Sequence, residues 1–446
     1  MNRPWTRFAP QAVVGLGPRR PRRACATWRL LGWALVGTAA GTLALAGAGV
    51  FVARAADPIK IGLGMALTGG LSANGKPALM AIQIWKDDVN KKGGLLGRPV
   101  ELISYDDQTN PATVPGIYTK LLEVDKVDFV ISGYGTNLIA PLMPIAMERK
   151  LTIMGILGLA NNEKYKYPNY FQIQPSGPDP ETNWATGFFE IAARQNPKPQ
   201  TIALVGADAE YPRHAIAGAR ELVKKFGFKT VYDKSYPPST VDYTPIARAI
   251  KAVNPDIVFV ASYPPDSVGM VRAAHEVGLQ PKIFGGGMVG LQFTTVMTSL
   301  GPMLNGIVNY DFWAPEQTMM FPGIKEFFAE YQKRAKEAGV DPLGYYLPPY
   351  AYSAAQILGL AIEGSKSLDQ QKVADYIRSN EFSTIVGKVR FGANGEWAKS
   401  RVLQVQYQGV KGSDVEQFRV PGKKVVLYPD EFKSGNVIYP YSAAQK

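Results

Sequence analysis

The chain has 446 residues, 46% of them hydrophobic, and a formal net charge of +12. Residues 1–55 carry eight arginines and no lysine, aspartate or glutamate, so from Ala56 onward 41 basic residues face 37 acidic ones, a balance of only +4. A nucleic-acid partner is therefore not implied. The single cysteine, Cys25, lies in the same front segment, which excludes disulfides and thiol chemistry from the remainder.

The front segment reads as an export signal. A basic region with Arg19, Arg20, Arg22, Arg23 and Arg29 precedes an apolar run from Leu30 to Val52. Ala53-Arg54-Ala55 then forms an A-x-A cleavage site before Ala56. Cys25 precedes the apolar run, which argues against a lipid-modified N-terminal cysteine. If the run were retained, it would anchor the chain in a membrane. The remaining ~390 residues are long enough for two domains.

Ile59 to Leu67 is the first strand, followed by a loop from Thr68 to Gly75. The next helix places Ala78, Ile82, Trp85 and Val89 on one face and ends at Gly93-Gly94. Val100 to Asp106 is a second strand, and Asn110-Pro111 opens a second helix. Asp128 to Ser132 is an apolar run suited to a buried parallel strand, broken by Gly133 and Gly135. Thr136 falls where an N-cap would, before a helix from Leu138 to Arg149 and a strand from Lys150 to Ile156. Such a turn leaves helix-start N–H groups unpaired beside a hydroxyl, a receptor for a carboxylate.

Tyr170 to Gln174 is a strand leading into Pro175-Ser176-Gly177-Pro178-Asp179-Pro180, where turn formers crowd and the first crossing between domains is expected. The β/α pattern then restarts. Strands are expected at Thr201–Gly206, Thr230–Tyr236, Ile257–Ser262 and Lys282–Gly285, alternating with helices at Arg213–Phe226, from Thr244, and at Asp266–Val277. The chain should cross back from about Asn309. Helices follow at Phe321–Ala338, Tyr350–Glu363 and Val373–Asn380. Val389–Phe391 and Val402–Gln408 read as the final strands, separated by the turn Gly392-Ala393-Asn394-Gly395, and the tail from Val425 as a strand and then loose coil. The alternation predicts α/β architecture with parallel sheets wrapped by helices.

Three stretches carry a resemblance: IKIGLGMALTGGLSANG from Ile59, NKKGGLLGRPVELISYDDQTNP from Asn90, and VDYTPIARAIKAVNPDIVFVASYPPD from Val241. In this order the chain resembles the periplasmic solute-binding proteins of the leucine/isoleucine/valine type, which serve ATP-binding-cassette importers. The resemblance spans nearly all of Ile59 to Tyr428. It implies a type I periplasmic binding protein, a Venus-flytrap of two doubly wound parallel-sheet lobes joined by three crossings. On that reading residues 1–55 are the signal. Residues 56–174 plus 309–400 form the first lobe, 175–308 plus 401–428 the second, and 429–446 a tail. It further implies a periplasmic, monomeric protein whose partners are a small-molecule ligand and an inner-membrane permease, with no nucleic acid, no cofactor and no metal.

The resemblance also assigns a ligand site. The hydroxyl in the turn after the third strand, which holds the ligand carboxylate, falls on Thr136. Contacts from the end of the next strand fall near Gly158, Leu159 and Ala160. Aromatic positions fall on Tyr211, Tyr263 and Tyr346, and the first loop's position falls on Asn74. Amino-acid-binding members carry an acid after the strand that here is Lys282 to Gly285, where it pairs with the ligand ammonium. This chain reads Gly285-Gly286-Gly287-Met288-Val289-Gly290, with no acid. An unpaired ammonium in a dry cleft costs several kcal/mol, so the expected ligand is a carboxylate without an amine. Met288 offers a soft wall to an aromatic ring, and His214 a partner for a ring hydroxyl or second anion. An aromatic acid such as a benzoate or phenylpropanoid fits best. Branched-chain or other amino acids, and a membrane-anchored sensor ectodomain, are the alternatives. No H-E-x-x-H, G-x-S-x-G or P-loop pattern is present, and no enzyme is expected.

Overall fold

The computed structural model describes residues 57–445. The expected signal, Cys25 and the cleavage site at Ala55/Ala56 lie outside them. Two sheets organise these residues. The first contains β1 (Ile59–Met65), β2 (Val100–Asp106), β3 (Phe129–Tyr134), β4 (Ile153–Ile156) and β5 (Tyr170–Gln172). Its order is β2-β1-β3-β4-β5, parallel throughout. The second contains β6 (Thr201–Ala207), β7 (Lys229–Tyr236), β8 (Ile257–Ser262), β9 (Ile283–Met288) and β10 (Val308–Asp311) in the order β7-β6-β8-β9-β10, also parallel. The second sheet thus repeats the strand order of the first, although the sequences show no repeat. In this order ligands bind beyond the carboxyl ends of the strands, where the winding reverses.

The strands are near-continuous apolar runs because helices cover both faces. β3, β8 and β9 are buried along their whole length. The Ser72–Lys91 helix packs on the Pro348–Ser365 helix over the first sheet. The Pro180–Ala193 and Glu210–Phe226 helices pack together on the second.

Several local expectations are corrected. Residues Ser72 to Gly75 form the first turn of the helix rather than a loop. β3 runs on through Gly133 to Tyr134, so only Gly135, with φ of +91°, makes the turn. The expected Leu138–Arg149 helix is three short pieces, Thr136–Ile139, Ala140–Leu142 and Met143–Glu148. Pro141 and Pro144 each remove a backbone donor there. Residues Pro180–Ala193, just past the expected crossing at Pro175–Pro180 and assigned no element from sequence, form a helix capped by Asp179, whose side chain accepts from the Thr182 N–H.

The C-terminal part also differs. Near the expected crossing at about Asn309, β10 stays paired in the second sheet as far as Asp311. The Gly392–Gly395 turn does not join the final strands. It closes only a single bridge between Phe391 and Trp397. β11 (Glu381–Thr384) and β12 (Gly387–Arg390) form a separate hairpin. β13 (Leu403–Tyr407) and β14 (Lys424–Tyr428) add antiparallel to the β10 edge of the second sheet. The tail is not loose: Tyr441 is buried against Phe284, and the Tyr439 hydroxyl donates to the Pro197 carbonyl. Among the described residues no helix is long and apolar enough to cross a membrane.

Candidate ligand-binding cleft

Equivalent strand ends in the two sheets converge on one small cavity. From the first sheet come Tyr134 at the end of β3, Gly135 and Thr136 after it, Leu157 and Leu159 after β4, and Gln174 after β5. From the second come Tyr211 after β6, Tyr263 after β8, Val289 after β9 and Tyr310 on β10. Trp184 and Tyr346 complete the lining. The space left among them is about 10 Å³, room for about one water.

Thr136 does not cap its own helix. Gly135 takes the cap position, and Thr136 is the first helical residue, 2% exposed. Its Oγ1 accepts the Leu159 N–H at 2.9 Å. A hydroxyl that accepts there still has its own proton to donate. The first bonds within the stretch are from the Leu138 and Ile139 N–H groups to the Gly135 carbonyl. The N–H groups of Thr136 and Asn137 precede them and have no acceptor within the helix.

The opposite wall is a chain of rings. Tyr263 lies 5.5 Å from Tyr211, Tyr211 5.5 Å from Trp184, and Trp184 4.3 Å from Tyr310 between ring centres. The Tyr310 and Tyr346 hydroxyls share a hydrogen bond of 2.9 Å, and Tyr211 donates to the Gly287 carbonyl at 2.8 Å. Gly287 allows this packing, because a Cβ there would stand 2.7 Å from the Trp184 ring. Burial pushes the Tyr211, Tyr263, Tyr310 and Tyr346 hydroxyls well above the ordinary phenol range, so all four are neutral donors near pH 7. One bond crosses the cleft directly, from the Tyr263 hydroxyl to Asn137 Oδ1 at 3.0 Å.

No side chain of the lining carries a charge. The nearby Asp266 is buried, its carboxyl pushed up to about 6 by desolvation, and it accepts from the Tyr236 hydroxyl at 2.6 Å. It does not line the cavity.

The cavity gathers Thr136, Leu159, Tyr211, Tyr263 and Tyr346 from among the expected positions. Gly158 and Ala160 flank Leu159 without reaching it, and a Cβ on Gly158 would run into the Asn161 side chain. Met288 is fully buried at the end of β9 and the lining residue is its neighbour, Val289. Asn74 is fully buried in the first turn of its helix, its amide without a hydrogen-bond partner, outside the lining. His214 stands apart in an ion pair with Glu181, and the hydrogen bond to that carboxylate raises its pKa. Tyr134, Trp184 and Tyr310 were not expected.

The sequence model of the family described as "Periplasmic binding protein" matches residues 58–412. The chain is similar to a leucine-, isoleucine-, valine-, threonine- and alanine-binding protein of Pseudomonas aeruginosa, 26% identical over 77% of this chain and 88% of that protein. Its fold is similar to LivJ, a branched-chain amino acid transporter substrate-binding protein of Streptococcus pneumoniae in complex with isoleucine. The TM-score is 0.69 at 16% identity over 83% of this chain and 100% of that one. It is equally similar to an ABC transporter solute-binding protein of R. palustris in complex with 4-hydroxybenzoate, with a TM-score of 0.69 at 20% identity over 80% and 95% of the two chains. With two matching α/β lobes, a cleft at their strand ends and a family match over most of its length, the chain belongs to the periplasmic binding protein family.

Proposed function

We propose that this protein is the substrate-binding component of an ATP-binding-cassette importer and that it captures an aromatic carboxylate in the cleft. The observation that carries this reading is the lining itself: five tyrosines and a tryptophan, with no acid to neutralise an ammonium. A buried ammonium without a carboxylate partner costs several kcal/mol. A carboxylate, by contrast, finds the Thr136 hydroxyl and the free N–H groups at the start of the helical stretch.

The two lobes divide the work. The first supplies hydrogen-bond donors for the carboxylate. The second supplies ring faces, each with a large contact area and one polar end. Because the rings nearly fill the closed cleft, a ligand enters only when the lobes part and the Tyr263–Asn137 bond breaks. Contacts with both lobes then favour the closed form around the ligand, which is the form a permease would recognise.

A branched-chain amino acid is the second reading, favoured by the name of the Pseudomonas relative. Titration calorimetry with 4-hydroxybenzoate and with leucine separates the two. We expect 4-hydroxybenzoate to bind at least about tenfold more tightly, a difference of ~1.4 kcal/mol. Tighter binding of leucine would overturn the reading.

A further inference from the structure

A larger cavity, of about 690 Å³, lies outside the cleft. It is walled by Phe321 and Pro322, by the β11–β12 hairpin, by residues Trp397 to Arg401, and by Glu431 and Phe432 of the tail. Two connections between the sheets run side by side here: the Arg401 N–H donates to the Pro175 carbonyl at 2.8 Å.

Its chemistry is unlike that of the cleft. Arg401 is held among aromatic rings, 4.7 Å from the centre of Trp397 and 5.0 Å from that of Phe321. Its guanidinium donates to the Val386 carbonyl, but among the described residues no carboxylate pairs with it. Two buried donors on this stack have no acceptor: Arg401 Nε and the indole N–H of Trp397, which is 4% exposed. Unpaired buried donors are uncommon and costly. Four cations line the cavity, Lys388, Arg390, Lys399 and Arg401, against two acids. Both acids are already engaged, Glu381 with Lys388 at 2.9 Å and Glu431 with Lys399 at 3.3 Å. The volume falls in the usual range for small-molecule sites.

We propose that this cavity is a second binding site, for a small organic carboxylate with an apolar body. The carboxylate accepts from Arg401 and the Trp397 indole, and the body packs on Phe321 and Phe432. The site stands independently of the cleft and of what the cleft binds.

Two tryptophans make the test clean, because Trp184 lines the cleft and Trp397 the second cavity. Indole N–H resonances of ¹⁵N-tryptophan-labelled protein are followed during titration with benzoate, and each is assigned by its loss in W184F or W397F. We expect the Trp397 resonance to move saturably. The same shift should survive in T136V and weaken at least about tenfold in R401M. R401K keeps the charge without the planar fork and should weaken it less, which separates lost recognition from lost folding. A Trp397 resonance that stays still up to about 10 mM benzoate, or moves equally in R401M, would overturn the proposal. Movement of Trp184 reports on the cleft alone, so the two readings fail separately.

Discussion

The two cavities differ in a way that volume alone would misjudge. The roomy one, about 690 Å³, is charged and lies beside a connection between the sheets; the cleft, about 10 Å³, is uncharged and almost closed on its own rings. The cleft is the primary site we propose, because equivalent strand ends of the two sheets meet there. A hinged receptor can be shut down to the volume of a water and still bind, provided that parting the lobes breaks few bonds. Here the Tyr263 hydroxyl bonds to Asn137 across the cleft, and the Tyr263 ring packs in turn on Tyr211.

The comparison can be broken at several points. The largest effect is expected from Thr136→Val. It removes the hydroxyl proton and should weaken aromatic-acid binding by about 10- to 100-fold, the usual worth of a hydrogen bond to a charged group. Calorimetry checks this, and the Leu159 N–H, which also loses its acceptor, should lower the melting temperature slightly. Tyr263→Phe keeps the ring and removes only the bond across the cleft. A neutral hydrogen bond is worth ~1 kcal/mol, so ligand release by stopped-flow should change by about three- to tenfold or less.

The smallest effect is expected at His214. Its folded pKa is raised, first by the hydrogen bond to Glu181. The protonated form is therefore favoured in the folded state. The stability this gives is fully present below the unfolded histidine pKa and is lost as pH rises through the folded value. His214→Gln should cost less than ~1 kcal/mol at pH 5.5 and little at pH 9 by denaturant melts. Ligand affinity should be unchanged, since the side chain stands away from the lining.

Much of the fold was legible in the residues, and the limits were local. Apolar runs such as Ile257–Ser262 can only be buried parallel strands in a βα alternation, and the structure has them within a residue or two. The register of side chains was less accessible. In a strand, neighbouring residues face opposite ways, so an error of one residue exchanges the wall for the core. Past a strand end that alternation stops: Gly285-Gly286-Gly287 leaves no side chain to show where β9 ends, and the cavity is lined by Val289, one residue beyond it, while Met288 is buried at its end. Trp184 is hidden from the sequence because Asp179-Pro180 suits a turn as well as a helix start, and only the structure shows the helix that carries it. Tyr134 and Tyr310 sit at strand ends, and nothing local distinguishes a cleft tyrosine from a core one there.

The claim that the cleft accepts a carboxylate but not an amine is tested most directly by two ligands that differ only in that group. Calorimetry with 3-phenylpropanoate and with L-phenylalanine compares the same ring and the same acid with and without the ammonium. The account predicts that phenylpropanoate binds at least about tenfold more tightly. Equal or tighter binding of phenylalanine would contradict it.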